Sequence, residues 1–392
     1  MLKIAFIHNT FPSGGAERIT VDIAEYLACH ENYKVFVYAS RIAEANLTDT
    51  MKNVLTIRQI PTQAIPAVRA RRIEQNIIED GIDILVQVTK AVQGIEGIKK
   101  RTGIKTIVSC HGEPFWQRYA IVNRRKKGLI RRIMWGLYNR KRYEDGTLAM
   151  KKAVNRTLRE YRSCDAYTVL CNPYKLETAE RLGIDHASSH IYPIENPEYS
   201  VENVDYDKEK IVLFCGRFEN WSKRIDRLLR IWAKVQGQMS DWKLMLVGDG
   251  EDWDKLKRMA GEMALERVYF EGRRNNVSDY YRKASIVVLT SDTEGWPLTL
   301  TEAQAHGCIC VAFDCTSGIK EILSPETESG FTVPSYDEDR YAQILMEVMQ
   351  LPEEKKMSIR KKAVERRSHY GPENIAEKWK TLFDQLSVTC QS

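Results

Sequence analysis

The sequence predicts an α/β fold built from two doubly wound parallel-sheet domains. Three observations carry this expectation. Short apolar runs rich in Val and Ile alternate with amphipathic stretches of helix length, the order that parallel sheets covered by helices require. The alternation breaks over 192–199, where prolines and polar residues cluster, and then starts again. The length of 392 residues suits two domains of roughly 190 residues, each large enough to bury about 70% of its unfolded surface.

In chain order, the first apolar run predicts a strand over 3–7, and the following apolar periodicity a helix over about 16–29. Strands are expected over 34–38, 54–60, 82–88 and 105–109, with a helix over 68–79 between the second and third of these. A helix near 148–162, a strand over 166–171 and a helix over 174–182 close the first half. The stretch 192–199 reads as the linker. The second half then offers strands over 210–216, 242–247, 267–270, 285–290, 309–313 and 330–333. Helices are expected over 224–235, 253–262, 277–283 and 298–306. Domains of 1–195 and 200–371 follow, each gathering ligands outside the carboxyl ends of its strands, with a cleft between the two sheets.

The amino-terminal run is too short for a signal peptide or a membrane span, and no other segment is long and apolar enough to cross a bilayer. Nine cysteines occur without a C-x-x-C pair, which fits a reducing cytoplasm. The net charge of +6 hides a local concentration, since 124–142 carries nine basic side chains and no acid. Within it Ile130, Ile133, Met134, Leu137 and Tyr138 keep one helix face, edged by Arg131 and Arg132, with Arg124 and Arg125 just ahead. A basic amphipathic helix of this kind suits either its own core or an anionic membrane surface. No nucleic-acid recognition pattern accompanies the charge, so no nucleic-acid partner is expected.

The run 291–302, Ser-Asp-Thr-Glu-Gly-Trp-Pro-Leu-Thr-Leu-Thr-Glu, joins a buried strand to a helix with two carboxylates eight positions apart. Pro297 suits the first helical position, leaving the amides of Leu298, Thr299 and Leu300 outward at the positive end of a helix dipole, where phosphate binds. Glu294, beside Gly295 in the preceding turn, and Glu302, one turn into the helix, then bracket a nucleotide diphosphate sugar. Arg217 leaves the first strand of the second half and Lys223 arrives before the next helix, so two cations are expected to face one diphosphate. Gly248 caps a strand where bare backbone suits close approach to a nucleotide, and Arg273 follows the next strand as pocket wall. In the first half, Gly14 and Gly15 open a helix after strand one, and His111 ends the strand over 105–109 at the cleft edge. The glycine loop is not G-x-G-x-x-G, so a nicotinamide cofactor is not expected. Asp205 with Asp207, and Asp252 with Asp254, have D-x-D spacing; neither sits at a strand end, and no metal is expected.

Together Gly14, Gly15, His111, Arg217, Lys223 and the segment from Glu294 to Glu302 resemble the retaining family 4 glycosyltransferases of the GT-B fold, of the bacterial polysaccharide-biosynthesis type, whose E-x7-E signature fits Glu294 and Glu302. The resemblance implies two Rossmann-like domains facing across a cleft, with a last helix, 372–388, returning to the first. It implies a UDP-sugar held by the second domain and a glycan or lipid-linked acceptor held by the first, with no cofactor or metal. On this basis Glu294 would meet donor-sugar hydroxyls, Glu302 the ribose, Arg217, Lys223 and the 298–300 backbone the diphosphate, Gly15 the phosphates from the other domain, and His111 the transferred sugar. The basic segment adds a peripheral location at the inner face of the plasma membrane. Trp296 stands where many relatives carry Phe or Tyr, and Arg224 where Gly is usual after the lysine. A nucleotide-sugar epimerase, a phosphorylase, or an inactive membrane-attached scaffold on the same fold are the alternatives.

Overall fold

The computed structural model describes all residues except 13–14, 31, 62–65, 90, 117, 119–146, 199, 326 and 389–392. The basic segment, with Arg124, Arg125, Arg131 and Arg132, lies outside the described residues, as does Gly14. Among the described residues the chain forms two compact units: Glu198–Gly371, and the residues before and after it.

The first unit is a seven-stranded parallel sheet of β1 (Leu2–Phe11), β2 (Tyr33–Ile42), β3 (Leu55–Gln59), β4 (Ile84–Val88), β5 (Lys105–Ser109), β6 (Ala166–Val169) and β7 (Ile191–Pro193), in the order β3-β2-β1-β4-β5-β6-β7. Its helices are α1 (Gly15–Ala28), α2 (Asp49–Val54), α3 (Pro66–Asp80), α4 (Ile95–Thr102), α5 (Thr147–Ser163) and α6 (Asn172–Leu182). Strand order reverses between β1 and β4, which makes a switch point of the kind where ligands collect. β1 runs four residues beyond the expected 3–7, because β2 continues beside it and pairs His8 with Ala39 and Thr10 with Arg41. A backbone ladder overrides the polar side chains that suggested a strand end.

The linker expected over 192–199 holds the boundary between the two units, which falls after Pro197, but its first residues pair into the sheet. Residues 191–193 form the edge strand β7, where Val169 pairs with Pro193 and the Ile194 amide donates to the Val169 carbonyl at 2.8 Å. A proline is tolerated there because an edge strand needs donors on one side only.

The second unit repeats the plan with β8 (Glu209–Cys215), β9 (Lys243–Val247), β10 (Val268–Gly272), β11 (Ala284–Leu289), β12 (Ile309–Phe313) and β13 (Phe331–Val333), ordered β10-β9-β8-β11-β12-β13, all parallel. Its helices are α7 (Ile225–Val235), α8 (Trp253–Glu262), α9 (Ser278–Lys283), α10 (Leu298–Ala305), α11 (Ser317–Leu323), α12 (Glu338–Gln350) and α13 (Glu353–Arg367). Every residue of β11 and β12 is buried, as a parallel strand covered on both faces requires. Trp232 of α7 lies fully inside this core, and its indole N–H is satisfied by the Glu266 carbonyl at 2.9 Å. The switch point here falls between β8 and β11, so the loops after those two strands are neighbours.

The last helix, α14 (Pro372–Val388), belongs to the first unit. Trp379 packs edge-on to Phe6 of β1 with ring centroids 6.4 Å apart, and both are buried. Tyr26 and Tyr33 donate hydroxyls to Glu377 and Asp384 of the helix at 3.0 and 2.5 Å. Both crossings into and out of the second unit meet, since the Glu198 amide donates to the Tyr370 carbonyl at 2.8 Å.

Candidate active site

The loop after β8 and the loop after β11 are fastened to each other. The Thr290 hydroxyl donates to the carbonyls of Lys223 and Arg224, at 3.2 and 3.1 Å, and the Asp292 amide donates to the Ser222 carbonyl at 2.8 Å. Arg224 caps α7 at φ 51°, a left-handed conformation that favours glycine. Its guanidinium compensates, donating to Asp226 through Nε and Nη2 and to Asp292 through Nη1, each at 3.0 Å. Arg227 donates to the other oxygen of Asp292. This double clamp fixes Lys223, whose ammonium donates to Glu294 Oε1 at 2.6 Å. Ser291 donates to the same oxygen at 2.6 Å, and the Glu294 side chain is only 8% exposed. A buried carboxylate held by a cation and a hydroxyl is set in one orientation.

Helix α10 follows at once. Pro297 is its N-cap rather than its first residue, and the Leu300 amide is already satisfied by the Pro297 carbonyl at 2.9 Å. The expected trio of free amides therefore reduces to those of Leu298 and Thr299, at an end that no side chain caps. Gly295 lies in the turn before it, and Trp296 is buried with its ring 5.4 Å from that of Tyr370. Glu302, the fifth residue of α10, accepts from the Tyr281 hydroxyl at 3.2 Å.

The structure places two further expected site residues. Arg217 does not join Lys223 at Glu294; its side chain is 76% exposed and pairs with Glu219 at 3.1 Å. Gly248, at φ 140°, is required by the protein's own backbone, because a Cβ there would stand 1.8 Å from the Gly216 carbonyl oxygen. Gly250 serves likewise, with a Cβ position 2.6 Å from the Phe218 carbonyl oxygen. The loop after β8 rests on these glycines, since the Phe218 amide donates to the Asp249 carbonyl at 2.9 Å. Asp252 is part of the same support and accepts from the Asn220 amide at 2.8 Å. Arg273 is exposed just beyond β10.

In the first unit, Gly15 opens α1, and His111 follows β5. Ser109 Oγ lies 3.1 Å from His111 Nε2 and accepts from Thr168 at 3.0 Å. The buried His111 Nδ1 has no aligned partner, although the Asn196 side chain lies beside it. His8 is buried against the same group: its Nε2 is 2.9 Å from Thr20 Oγ1 and its Nδ1 3.5 Å from Glu17. Burial works to raise the Glu17 carboxyl, yet its bond to His8 leaves it below the usual range. Burial lowers the His111 imidazole to about 4, with Asn196 and Glu17 opposing and His8 assisting.

A pH effect follows. Between pH 4 and about 6.5 the unfolded chain takes up a proton at this position that the folded chain refuses, so stability falls on acidification through that window. His111→Gln is expected to remove about 2 kcal/mol of the stability difference between pH 7 and pH 5. Urea unfolding of both proteins at the two values reads it; equal slopes for both would show His111 to titrate normally.

With the geometry in place, comparison with known proteins gives it a chemical class. Residues 195–366 match the family described as Glycosyl transferases group 1. The second unit carries a glycosyl transferases group 1 domain. The chain is thus a glycosyltransferase, and it is similar along its length to others. It is 27% identical to an uncharacterized glycosyltransferase of Haemophilus influenzae, covering 98% of this chain and 100% of that one. It is 25% identical to the Amylovoran biosynthesis glycosyltransferase AmsD of Erwinia amylovora, covering 95% and 96%. Its α/β fold of two parallel sheets is the GT-B fold, matching Anabaena HepE in complex with UDP and glucose at a TM-score of 0.72 and 15% identity over 98% of this chain and 100% of that one.

Sequence reasoning missed the Arg224, Asp226, Arg227 and Asp292 clamp of this glycosyltransferase, and the role of Ser291. Asp292 lies inside the run 291–302 itself, and two arginines flank Asp226 in sequence, so the signal was a local excess of paired charges.

Proposed function

We propose that this glycosyltransferase is a retaining, metal-independent enzyme of family 4, moving a hexose or N-acetylhexosamine from a UDP-sugar to a lipid-linked glycan during surface polysaccharide biosynthesis. One observation carries the proposal: at the second unit's switch point Lys223, Ser291 and Glu294 are locked together beside the uncapped start of α10. A departing diphosphate gains negative charge, and fixed donors placed where that charge develops lower the barrier without rearranging. In this scheme Lys223 and the amides of Leu298 and Thr299 take the diphosphate, Glu294 the sugar hydroxyls and Glu302 the ribose. Retention without a protein nucleophile leaves the departing phosphate to take the acceptor proton. The AmsD relative's part in amylovoran biosynthesis and HepE's complex with UDP and glucose support the acceptor class and the donor.

The test incubates the full chain with a panel of UDP-sugars and lipid-extracted acceptors, with and without EDTA, and reads the product's anomeric configuration by NMR. The expected product keeps the donor's α configuration at an unchanged rate in EDTA. An inverted product, or activity restored only by a divalent cation, overturns the corresponding part of the scheme.

A further inference from the structure

The first unit holds a cavity of about 700 Å³ that the donor chemistry does not use. It opens where β1 and β4 diverge, lined by Ile7, His8 and Asn9 at the end of one strand and by Val88 at the end of the other. This is the unit's own switch point, where an open parallel sheet offers a crevice. The loop 91–94 forms one wall and is held from below, because the fully buried Gln87 accepts from the Val92 amide at 2.7 Å.

Three guanidinium groups line the cavity from two helices: Arg69 at the start of α3, and Arg156 and Arg159 on α5. Arg156 is balanced by Glu160 at 3.0 Å. The other two have no carboxylate partner among the described residues. Arg159 donates from Nε to the Asn155 carbonyl at 3.3 Å, while Arg69 Nε is buried with no hydrogen-bond partner among the described residues. The remaining acid in the lining, Glu96, is exposed. A second hollow shares Arg156 and Arg159 and adds Lys152 and Arg162, so the cationic lining continues along α5. Burying an unpaired guanidinium nitrogen is costly unless a ligand satisfies it, and the planar fork of arginine matches phosphate oxygens.

We propose that this cavity binds a phosphoryl group of the acceptor, with Arg69 and Arg159 as its two principal donors. The identity of the bound molecule as acceptor rests on the glycosyl transfer proposed above; the anion site itself does not. The shared chemistry is a phosphate ester, whether in a prenyl diphosphate carrier or in a phosphorylated soluble glycan.

The experiment titrates inorganic pyrophosphate into the full chain by calorimetry, with and without saturating UDP to fill the donor site. A saturable site that persists in UDP is expected. Arg69→Gln and Arg159→Gln should each weaken it by about tenfold or more, as loss of a charge-assisted bond implies. Arg69→Lys should retain part of the affinity, and Lys361→Gln, on an exposed face of α13, should change nothing. Displacement by geranyl diphosphate but not glucose 6-phosphate assigns a carrier lipid, and the reverse assigns a phosphorylated glycan. A site that vanishes in UDP, or one indifferent to both arginine variants, overturns the proposal. UDP-sugar hydrolysis measured in the same samples reports separately on the transfer chemistry, so failure of one does not mask failure of the other.

Discussion

Replacing Glu294 with Gln is expected to lower kcat by about 10²–10³ while leaving the fold intact, the scale seen when one preorganised donor or its anchor is removed. The substitution keeps size and shape but removes the charge that Lys223 faces at 2.6 Å. Lys223 is then free to leave its position, so under the proposed scheme the loss has two sources: the carboxylate's own contact with the sugar, and the displaced cation. Those sources separate in a double-mutant cycle with Lys223→Met. If the two side chains act as a unit, the second change costs little once the first is made. Single-turnover rates with saturating UDP-sugar are the measurement. Unchanged kcat with only a raised KM would mean that the pair contributes uniform binding and no transition-state stabilisation.

Gly248→Ala is expected to destabilise the second unit by roughly 3 kcal/mol or more, or to prevent its folding. The added carbon would sit 1.8 Å from a backbone oxygen of Gly216, at a φ of 140° that side chains rarely adopt. No flexible group can move aside, because the neighbour is main chain at the end of β8. Urea denaturation of the second unit's tryptophan signal checks it, with Gly250→Ala, whose Cβ meets the Phe218 carbonyl at 2.6 Å, as a companion. A variant that melts like wild type but binds UDP poorly would show instead that Gly248 makes room for a ligand.

That glycine marks the boundary of what the sequence reveals. Strand and helix positions were legible because burial on both faces of a parallel sheet selects Val and Ile in runs, as at Ile286 to Leu289, where the expected and observed strands overlap almost completely. Ends were less legible. β1 was cut short at His8 and Asn9 because polarity there reflects contact with α1 and not the end of pairing. β7 was missed because three residues with a proline satisfy no periodicity. At the site, Glu294 and Lys223 could be placed together from their positions after strands of one sheet. Arg217 could not be separated from them by spacing, since its side chain is exposed beside the buried Phe218 in a loop whose backbone packs on Gly248 and Gly250 of a different strand. Arg224 stands where the resemblance leads one to expect glycine. Its positive φ shows instead a strained backbone secured by two aspartates, which sequence spacing alone does not disclose.

The return of α14 to the first unit bears on biosynthesis at the ribosome. Phe6 is made before Glu198–Gly371, and the indole of Trp379 that covers it emerges after the whole of that stretch. A nascent chain can complete the later unit, whose entrance and exit are already bonded to each other, before the earlier one receives its final layer. Premature termination near codon 372 would therefore harm the half of the molecule translated first, leaving an apolar face on β1 open to aggregation.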